Sequence, residues 1–233
     1  MQARTELLVG VNGAGRTVLQ RTHCEVPLVV RVGDSCDGSL TLLFVNAAAG
    51  PLGGDELLLS VVVEDGASVR VRSVGASMVQ PGTTAASSSL RTTLQVGADA
   101  VVDWELEPTV SVVGSRHRSS TLLCLAATSS LRFCETVCLG RFEEQPGTLA
   151  IHQRLVVDGL GVLDHETVFG GGALRGPGGH GHHRVHRSTV LVRDDAPMAP
   201  SAQVTAGAIT GTFPLRNRTA LVSSSADSLA DLV

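Results

Sequence analysis

The chain has 233 residues and a formal net charge of −4 at pH 7, from 18 basic and 22 acidic side chains. So small and mixed a charge argues against a nucleic-acid-binding surface and against a basic membrane-binding patch. Every basic residue is an arginine, so the chain lacks the lysine that a phosphate-binding P-loop or a Schiff-base enzyme requires. We therefore expect no nucleic-acid partner, no membrane association and no nucleotide hydrolysis by this chain.

The first predicted elements are β-strands over residues 5–11, 17–32 and 40–45, separated by segments that contain glycine. A glycine-rich loop over residues 50–55 comes next. After it, apolar residues occupy every second position, at Leu57, Leu59, Val61 and Val63. This alternation predicts a strand with one buried face, and Gly66 then supplies the backbone freedom for a tight turn.

Four turn-like positions recur at a spacing of 31 residues, namely Gly66, Gly97, Thr128 and Gly159. The residues three positions before and after each of them are all apolar: Val63, Leu94, Leu125 and Val156 before, and Val69, Ala100, Leu131 and Val162 after. Periods in this range are typical of repeated units that stack around a shared core. The pattern predicts a mostly-β, single-domain protein with stacked strands, of a β-solenoid (β-helix-like) or β-sandwich-like kind, with one or two short helices.

The last part of the chain carries weaker patterns. Residues 170–187 are rich in glycine and histidine, which predicts a mobile loop. Residues 223–233 predict a C-terminal tail or a short helix, for which Ser225 or Asp227 is a candidate N-cap. All of these segments are assigned to one domain that spans residues 1–233.

The five cysteines are odd in number and form no Cys-x-x-Cys pair: Cys24, Cys36, Cys124, Cys134 and Cys138. This usage predicts reduced thiols in a cytosolic protein, most of them buried as small apolar side chains. The first six residues lack the apolar core of a signal peptide. No apolar run approaches the ~18–20 residues of a membrane span. We therefore expect a cytoplasmic protein.

Four motifs carry a family resemblance: Gly53-Gly54-Asp55, Glu107-Pro108-Thr109 within residues 104–110, Gly114-Ser115-Arg116, and Glu135 followed by Gly140-Arg141. Their order and spacing resemble the UreD/UreH family of urease accessory proteins, in particular its actinobacterial-type members, over about residues 5–168. Two departures are present. The second motif lacks the first proline of the family's Leu-Pro-Glu-Pro-Thr-Ile element, and only residues 143–147 represent the Gly-Glu-aromatic sequence that comes after Gly-Arg in the family.

The resemblance implies a non-enzymatic scaffold for urease maturation. Such a scaffold would bind the urease apoprotein and act with a UreF-type helical protein and a UreG-type GTPase to deliver nickel and carbon dioxide. It further implies that Ni²⁺ passes through the interior on transient oxygen ligands, without a tightly bound cofactor. The residues matched to family motifs are the candidate interface or structural residues: Gly53, Gly54, Asp55, Glu107, Pro108, Thr109, Arg116, Glu135, Gly140 and Arg141.

Four of the eight histidines lie within seven residues, at His180, His182, His183 and His186. Neutral imidazole binds Ni²⁺ and Zn²⁺, so this cluster is a candidate weak nickel site, and a solvated polar loop is the alternative interpretation. Because protonated histidine cannot ligate a metal, affinity should fall at low pH. A metal-handling protein built around these histidines is therefore an alternative function.

Several charged residues have both a structural and a functional interpretation. Asp55 either satisfies backbone donors in its own loop or lines a metal route. Glu105 and Glu107 would point to one side of a strand, either as solvent-facing ion pairs or as part of an interface, and Arg116 and Arg118 alternate likewise. Residues 164–166 predict a strand edge near a turn in preference to a proton-transfer site.

Catalytic motifs are missing from the sequence, which has neither a Gly-x-Ser-x-Gly nucleophile elbow nor a His-Glu-x-x-His zinc motif. A β-solenoid enzyme acting on polysaccharides is the least favoured alternative. Aromatic residues make up 3% of the chain and tyrosine is absent, whereas aromatic side chains usually anchor recognition. The sequence therefore predicts a protein that is not an enzyme.

Overall fold

The computed structural model describes residues 1–34, 37–170 and 182–232, and their regular structure is almost entirely β-strand. The strands are β1 (Gln2–Val11), β2 (Thr17–Cys24), β3 (Leu28–Val32), β4 (Leu40–Asn46), β5 (Glu56–Val63), β6 (Ser68–Ser73), β7 (Ser77–Val79), β8 (Ser88–Val96), β9 (Val101–Glu105), β10 (Thr109–Ser111), β11 (Arg116–Leu125), β12 (Ser130–Leu139), β13 (Thr148–Val157), β14 (Leu160–Phe169), β15 (Val185–Val192), β16 (Ser201–Val204), β17 (Ala208–Pro214) and β18 (Thr219–Ala226). A three-residue 3-10 helix, Leu229–Asp231, comes after the last strand. No helix in these residues has the length and apolar character needed to traverse a membrane.

Two sheets face each other across a common core. The seven-stranded sheet has the order β14-β13-β11-β8-β5-β1-β2, and the main path of the eleven-stranded sheet is β16-β17-β18-β15-β12-β9-β6-β4-β3. Pairing is parallel in the middle of both sheets and antiparallel in the hairpins at their edges. The chain therefore winds as a short β-solenoid whose two ends are closed by hairpins, which confirms the predicted fold class.

Each full coil runs along a strand of the seven-stranded sheet, turns, and returns along a strand of the eleven-stranded sheet. The pairs β5–β6, β8–β9 and β11–β12 take this path. We name the two ends of the solenoid by their connections. The turn end consists of residues 64–67, 97–100 and 126–129, and the crossover end consists of residues 47–55, 74–87, 106–115 and 140–147.

The predicted repeat is confirmed for three of its four turns. Gly66 N donates to Ala98 O at 2.8 Å, and Ala126 N donates to Val96 O at 2.9 Å, so successive turns stack on one another. The fourth is wrong as a repeat unit, because Asp158 and Gly159, both with positive φ, form a hairpin turn that sends β14 back within the same sheet. The next strand of the eleven-stranded sheet, β15, is accordingly antiparallel to β12.

The register of the stack also differs from a constant spacing. The residues that lie opposite one another at the ends of β5, β8, β11 and β13 are Val63, Val96, Leu125 and Val157. A constant spacing of 31 residues would place Leu94 where the structure has Val96, and Val156 where it has Val157. Both alternatives are apolar and buried or nearly so, which is why the sequence pattern alone does not distinguish them.

The core lies between the sheets and is mostly aliphatic, because apolar residues point inward at alternate positions of the strands, as at Leu59, Val61 and Val63 of β5. Trp104 is 2% exposed, and its ring lies 5.8 Å from the ring of Phe44 and 5.7 Å from that of Phe133. Rings at such distances add to the free energy of burial, which for a large apolar side chain is about 1.5–3 kcal/mol. These three aromatic residues hold the central strands β4, β9 and β12 together.

The C-terminal segment is more ordered than the sequence predicts. Residues 223–226, expected in a tail, belong to β18, and the short helix is capped by Ser228 instead of Ser225 or Asp227. Of the predicted loop over residues 170–187, residues 171–181 lie outside the described part of the chain. Residues 185–187 are the first residues of β15, so the predicted loop extends three residues too far at its C-terminal end.

Candidate functional site

The motifs that carry the family resemblance are far apart in sequence, yet the structure places most of them at the crossover end. Gly53 N donates to Gln80 O at 3.1 Å, and Val112 N donates to Val79 O at 3.2 Å, so consecutive crossovers are joined by backbone hydrogen bonds. The fourth crossover joins the third in the same way, since Gly147 N donates to Ser111 O at 3.3 Å. The crossovers that carry most of the motif residues therefore stack into one continuous layer.

Asp55 lies at the start of β5 and is buried. Its Oδ2 accepts the N–H of Leu52 at 2.8 Å, and its Oδ1 accepts a proton of the Met1 ammonium group at 2.8 Å. Burial opposes ionisation of Asp55, but these two donors together hold the pKa of its carboxyl below the usual range. The geometry supports the structural interpretation of Asp55, which closes its own loop and ties down the first strand.

Gly53 lies where two crossovers make their closest approach. A Cβ atom on Gly53 would lie 2.6 Å from Gly82 N and 2.7 Å from Ala86 O, and both are backbone atoms that cannot rotate away. The φ angle of Gly53 is not in the left-handed region, so backbone conformation alone does not require glycine here. The close approach of the two crossovers does require it.

Replacing Gly53 with alanine is expected to lower the free energy of unfolding by about 1–3 kcal/mol, because the inserted methyl group must push the two crossovers apart. Gly75→Ala is the matched control, since a Cβ atom at Gly75 meets nothing within 4 Å. Denaturant titrations of both variants, followed by circular dichroism, measure the difference. Equal midpoints for the two variants would show that the crossovers do not touch at Gly53.

The Gly140-Arg141 motif forms a turn held by two arginines. Arg141 binds the carboxylate of Glu144 through Nε at 3.0 Å and Nη2 at 2.7 Å, and this contact lowers the pKa of Glu144 to about 2. The Nη2 atom of Arg184 donates to three carbonyl oxygens of the same segment, those of Leu139, Arg141 and Glu144, at 2.7–2.9 Å. These contacts fix the conformation of the turn that carries Arg141 and Glu144.

The fixed turn holds Phe142 away from the protein. Its side chain is 91% exposed, the highest value among the large apolar residues of the described chain. An exposed aromatic ring on a rigid turn has the character of an interface anchor.

Two of the remaining crossover motif residues, Glu107 and Thr109, line an opening between the sheets. The N–H of Glu107 donates to Ser73 Oγ at 2.8 Å, Pro108 is buried, and Thr109 begins β10, which pairs with both β7 and β12. Arg116 is exposed, and its guanidinium group makes a long contact of 3.5 Å with Ala85 O. Glu107 and Thr109 therefore position the rim of the opening, and Arg116 is exposed at the same end of the solenoid.

Glu105 and Glu107 lie in different environments, unlike the prediction that they share one side of a strand. Strand β9 ends at Glu105, whose carboxylate binds Arg132 at 2.8 Å on the outer face of the eleven-stranded sheet. The same guanidinium binds Asp103 at 3.0 Å, and Arg72 also pairs with Asp103. This ladder is a structural ion-pair network, whereas Glu107 faces the opening.

A cavity of about 90 Å³ leads from this opening into the space between the sheets. Gly75 and Glu107 line it at the crossover end, and Phe133 and Glu135 line it further inside. The lining is largely apolar, but the inward residues of β11 in this region are polar: His117, Ser119 and Thr121. The core therefore contains a layer of polar side chains, which we call the polar layer.

Glu135 is the carboxylate of the polar layer. Its Oε1 accepts the Ser119 hydroxyl proton at 2.8 Å, and its Oε2 accepts the Gln153 amide at 3.0 Å. The Oε1 atom of Gln153 in turn accepts the hydroxyl proton of Ser188 at 2.8 Å. Burial raises the pKa of Glu135, and the Ser119 and Gln153 hydrogen bonds oppose that rise. The residue borders the cavity, which leaves its carboxylate accessible to a small cation.

A second titratable group that lines the cavity is His117, on β11. His117 is 5% exposed, and its Nδ1 lies 2.8 Å from Ser88 Oγ. Burial lowers the pKa of His117 to about 4, so the imidazole is neutral at pH 7 and retains the lone pair that a metal ion needs. The cavity is therefore lined by the carboxylates of Glu107 at its mouth and Glu135 inside, by one neutral imidazole and by several hydroxyl groups.

The three histidines of the predicted cluster that the structure describes lie in different surroundings. His180 lies outside the described residues, and His182 is exposed. His183 Nδ1 contacts Asp227 Oδ1 at 2.8 Å, whereas His186 is buried on β15 with its ring 5.1 Å from that of Phe169. Within residues 1–34, 37–170 and 182–232, no three histidine, cysteine, aspartate or glutamate side chains converge on a point that could hold a metal.

Sequence reasoning identified Glu135 but missed the side chains that surround it, namely His117, Ser119, Gln153 and Ser188. A signal for them exists, because these residues occupy positions that the strand alternation assigns to the buried face. Polar residues on a buried face must find partners inside the core, and a set of them on adjacent strands predicts a polar layer.

Comparison with known proteins gives a consistent result. The family model described as UreD urease accessory protein matches residues 2–229. Curated relatives include "Urease accessory protein UreD" of Streptomyces coelicolor, 34% identical over 96% of this chain and 89% of the relative, and that of Streptomyces avermitilis, 32% identical over 95% and 90%. The protein of the same name from Parafrankia sp. is 37% identical over 68% of this chain and 53% of its own length.

Proposed function

The chain belongs to the UreD family of urease accessory proteins, and from this membership we propose that it is a non-enzymatic scaffold for nickel insertion into urease. In this proposal the chain binds the urease apoprotein in the cytoplasm and acts together with a UreF-type helical protein and a UreG-type GTPase. Energy input would come from the GTPase, because this chain contains no lysine and hence no phosphate-binding P-loop lysine.

The observation that carries the proposal is the position of Glu135. Glu135 is hydrogen-bonded, but among the described residues no cationic side chain pairs with it, and burial of such a carboxylate is costly because it disfavours the charge. Here it borders a cavity that opens at the surface formed by the family motifs. A divalent cation that reached Glu135 would neutralise this charge, so the carboxylate would attract the ion into the protein interior.

The side chains that line the cavity suit brief binding of Ni²⁺ during transfer more than its tight storage. The Glu135 carboxylate, the single His117 imidazole and the neighbouring hydroxyl groups offer Ni²⁺ few strong donors, whereas tight sites provide several imidazole or thiolate ligands. Ni²⁺ would therefore be cargo that binds briefly and moves on. The histidines at residues 182–186 are dispersed, so the alternative of a metal-handling protein built on them gains no support from the geometry.

The crossover end is the surface that we assign to the urease apoprotein. It combines the exposed Phe142 ring, the exposed Arg116 guanidinium and the entrance to the cavity. Docking at this surface would place the cavity entrance against the partner, so an ion leaving the cavity would pass directly from one protein to the other.

A capture experiment tests this assignment. The complete chain, expressed with the UreF-type partner, is immobilised and offered urease apoprotein. Arg116→Glu is expected to weaken capture by about tenfold or more, because reversing a charge inside an interface costs several kcal/mol. Arg154→Glu is the matched control, since Arg154 is also exposed but lies on β13, away from the crossovers. Equal capture by both variants would refute the assignment of this surface, and no capture by the wild type would refute the scaffold proposal.

A further inference from the structure

The two sheets end at different strands on one side of the solenoid. The seven-stranded sheet ends at β14, whereas the eleven-stranded sheet continues past β18 to β17 and β16. Leu221 of β18 belongs to the core between the sheets, and Leu163 of β14 packs against that core. The hairpin of β16 and β17 therefore extends the eleven-stranded sheet beyond the last strand of the seven-stranded sheet.

Exposure increases along the inner face of this hairpin. Phe213 is in register with Leu221, so both point to the inner face, and Ile209 lies four residues earlier on the same side. Val204 is in register with Ile209 and shares this face. Leu221 is 8% exposed, whereas Phe213 is 51%, Ile209 47% and Val204 76% exposed. The described part of the chain therefore leaves the inner face largely uncovered beyond β18.

The exposed apolar side chains lie together on two paired strands. The ring of Phe213 covers Gly211, since a Cβ atom on Gly211 would be 3.0 Å from the Phe213 Cζ atom. Ala202 of β16 is in register with Gly211 and is also exposed. We call the surface formed by Ala202, Val204, Ile209 and Phe213 the overhang face. A contiguous exposed apolar surface of this kind marks an interaction site.

The hairpin that carries the overhang face is uncharged. Residues 196–215, which include β16 and β17, contain no charged side chain. Of the strands that end the main paths of the two sheets, β2 carries Arg21, β3 carries Arg31, and β14 carries Asp164 and Glu166, whereas β16 carries no charge. Charged side chains on an edge strand oppose its pairing with another chain. Strand β16 lacks this protection.

A second copy of the chain fits this edge in both shape and charge. A two-fold axis parallel to the strands, midway between the planes of the two sheets, carries the overhang face of one copy to the place beside β14 of the other. Each copy then covers the face that the other leaves open. Because a two-fold interface sets one surface against itself, a charged patch would repel its own copy, whereas this uncharged one does not.

We propose that the chain forms a two-fold dimer in which the overhang faces of two copies pack together and β16 of each copy lies beside β14 of the other. The rotation exchanges the positions of β16 and β17, so Val204 of one copy lies opposite Ile209 of the partner subunit. Strand directions are kept under this rotation. Both crossover ends therefore lie on one side of the dimer and stay free to bind another protein. The inference is independent of the proposed nickel function, since it uses neither Glu135 nor the cavity.

Sedimentation velocity of the complete chain over a range of concentrations tests the dimer. The chain has a mass of 24.1 kDa, and we expect a species of twice this mass that dissociates on dilution. Val204→Lys should raise the dissociation constant about tenfold or more, because the interface would enclose ammonium groups without partners. Gln203→Lys is the matched control, since it adds the same charge to an exposed residue of β16 on the opposite face.

Folding is controlled separately from association. Val204 and Gln203 are both exposed, so neither substitution should change the circular dichroism melt at concentrations where the monomer dominates. Phe213→Ser, which removes an exposed ring of the overhang face, should also weaken the dimer. A wild-type chain that stays monomeric, equal dissociation constants for the two lysine variants, or larger assemblies that persist in Val204→Lys would each overturn the proposal.

Cross-linking tests how the two copies are arranged. A chain with Val204→Cys is mixed with a chain with Ile209→Cys and treated with a short bismaleimide, and the linked positions are identified by mass spectrometry, which distinguishes them from the native cysteines. We expect links between positions 204 and 209, and few when Gln203→Cys replaces Val204→Cys. Links that join two copies of position 203 instead would indicate edge-to-edge pairing of β16 and contradict the packed faces. Neither readout involves nickel or urease, so failure of the dimer and failure of the nickel proposal remain distinguishable.

Discussion

Replacing Glu135 with glutamine is expected to remove most nickel delivery to urease while leaving the scaffold folded. The amide keeps the size of the side chain and its hydrogen bonds, because it can accept from Gln153 and donate to a rotated Ser119 hydroxyl group. It removes the charge that attracts the ion. An interaction with a charged group is worth about 1.5–3 kcal/mol, so nickel transfer should fall by about ten- to a hundredfold. Nickel per urease, measured by mass spectrometry after activation, provides the readout.

Glu135→Gln is also expected to change how the free energy of unfolding depends on pH. Because burial raises the pKa of Glu135 in the folded state, the unfolded chain loses this proton at lower pH than the folded chain does. Below the unfolded pKa both states are protonated and the group costs nothing. As pH rises above that value, wild type loses stability that Glu135→Gln keeps. The variant should therefore be at least as stable as wild type at neutral pH, by a margin that shrinks on acidification.

A matched control separates this effect from a general loss of acidic charge. Glu6→Gln removes an exposed carboxylate that pairs with Arg4 on the outer face of β1. It should change neither nickel delivery nor the pH dependence of unfolding. If Glu135→Gln delivers nickel as well as Glu6→Gln does, the buried carboxylate is not on the route of the ion.

Replacing Trp104 with alanine is expected to cost about 3–5 kcal/mol of unfolding free energy, a large part of the stability of a domain of this size. The indole is 2% exposed and lies between Phe44 and Phe133, so its removal leaves a hole next to the existing cavity. Denaturant unfolding followed by circular dichroism measures the loss. Fluorescence is unsuitable because Trp104 is the only tryptophan of the chain.

Phe142→Ala is the control for this prediction, since it also truncates an aromatic side chain but one that is 91% exposed. Its effect on stability should stay within about 0.5 kcal/mol. The proposed interface role of Phe142 predicts that the same variant binds the urease apoprotein less tightly. A Trp104→Ala variant as stable as Phe142→Ala would show that the three-ring contact does not hold the central strands.

Much of the fold could be predicted from the sequence because strand alternation and turn spacing are local signals. The three coils that turn at Gly66, Gly97 and Thr128 were predictable from these signals. The fourth coil could not be predicted by spacing, since Asp158-Gly159 is equally compatible with a turn between sheets and with a hairpin. The next strand decides which of the two forms, and β14 carries polar residues such as Asp164 that fit an exposed edge.

The site was predicted less completely, for a physical reason. Glu135 was found through the family resemblance, whereas Gln153 and Ser188 come from distant strands and meet it only through sheet register. For the histidine cluster, proximity in sequence predicts a shared site, and the structure shows how neighbours in sequence can lie apart. Strand β15 begins at Val185 and buries His186, while His183 pairs with Asp227, so neighbours in sequence occupy different environments.

The most direct test of the scaffold proposal compares purified urease from cells with and without this chain, at equal urease abundance, for both nickel content and activity. We expect cells without the chain to contain abundant urease that is poor in nickel and inactive, and the wild-type chain to restore both values. Unchanged nickel content and activity in the absence of the chain would contradict the proposal that it serves nickel insertion.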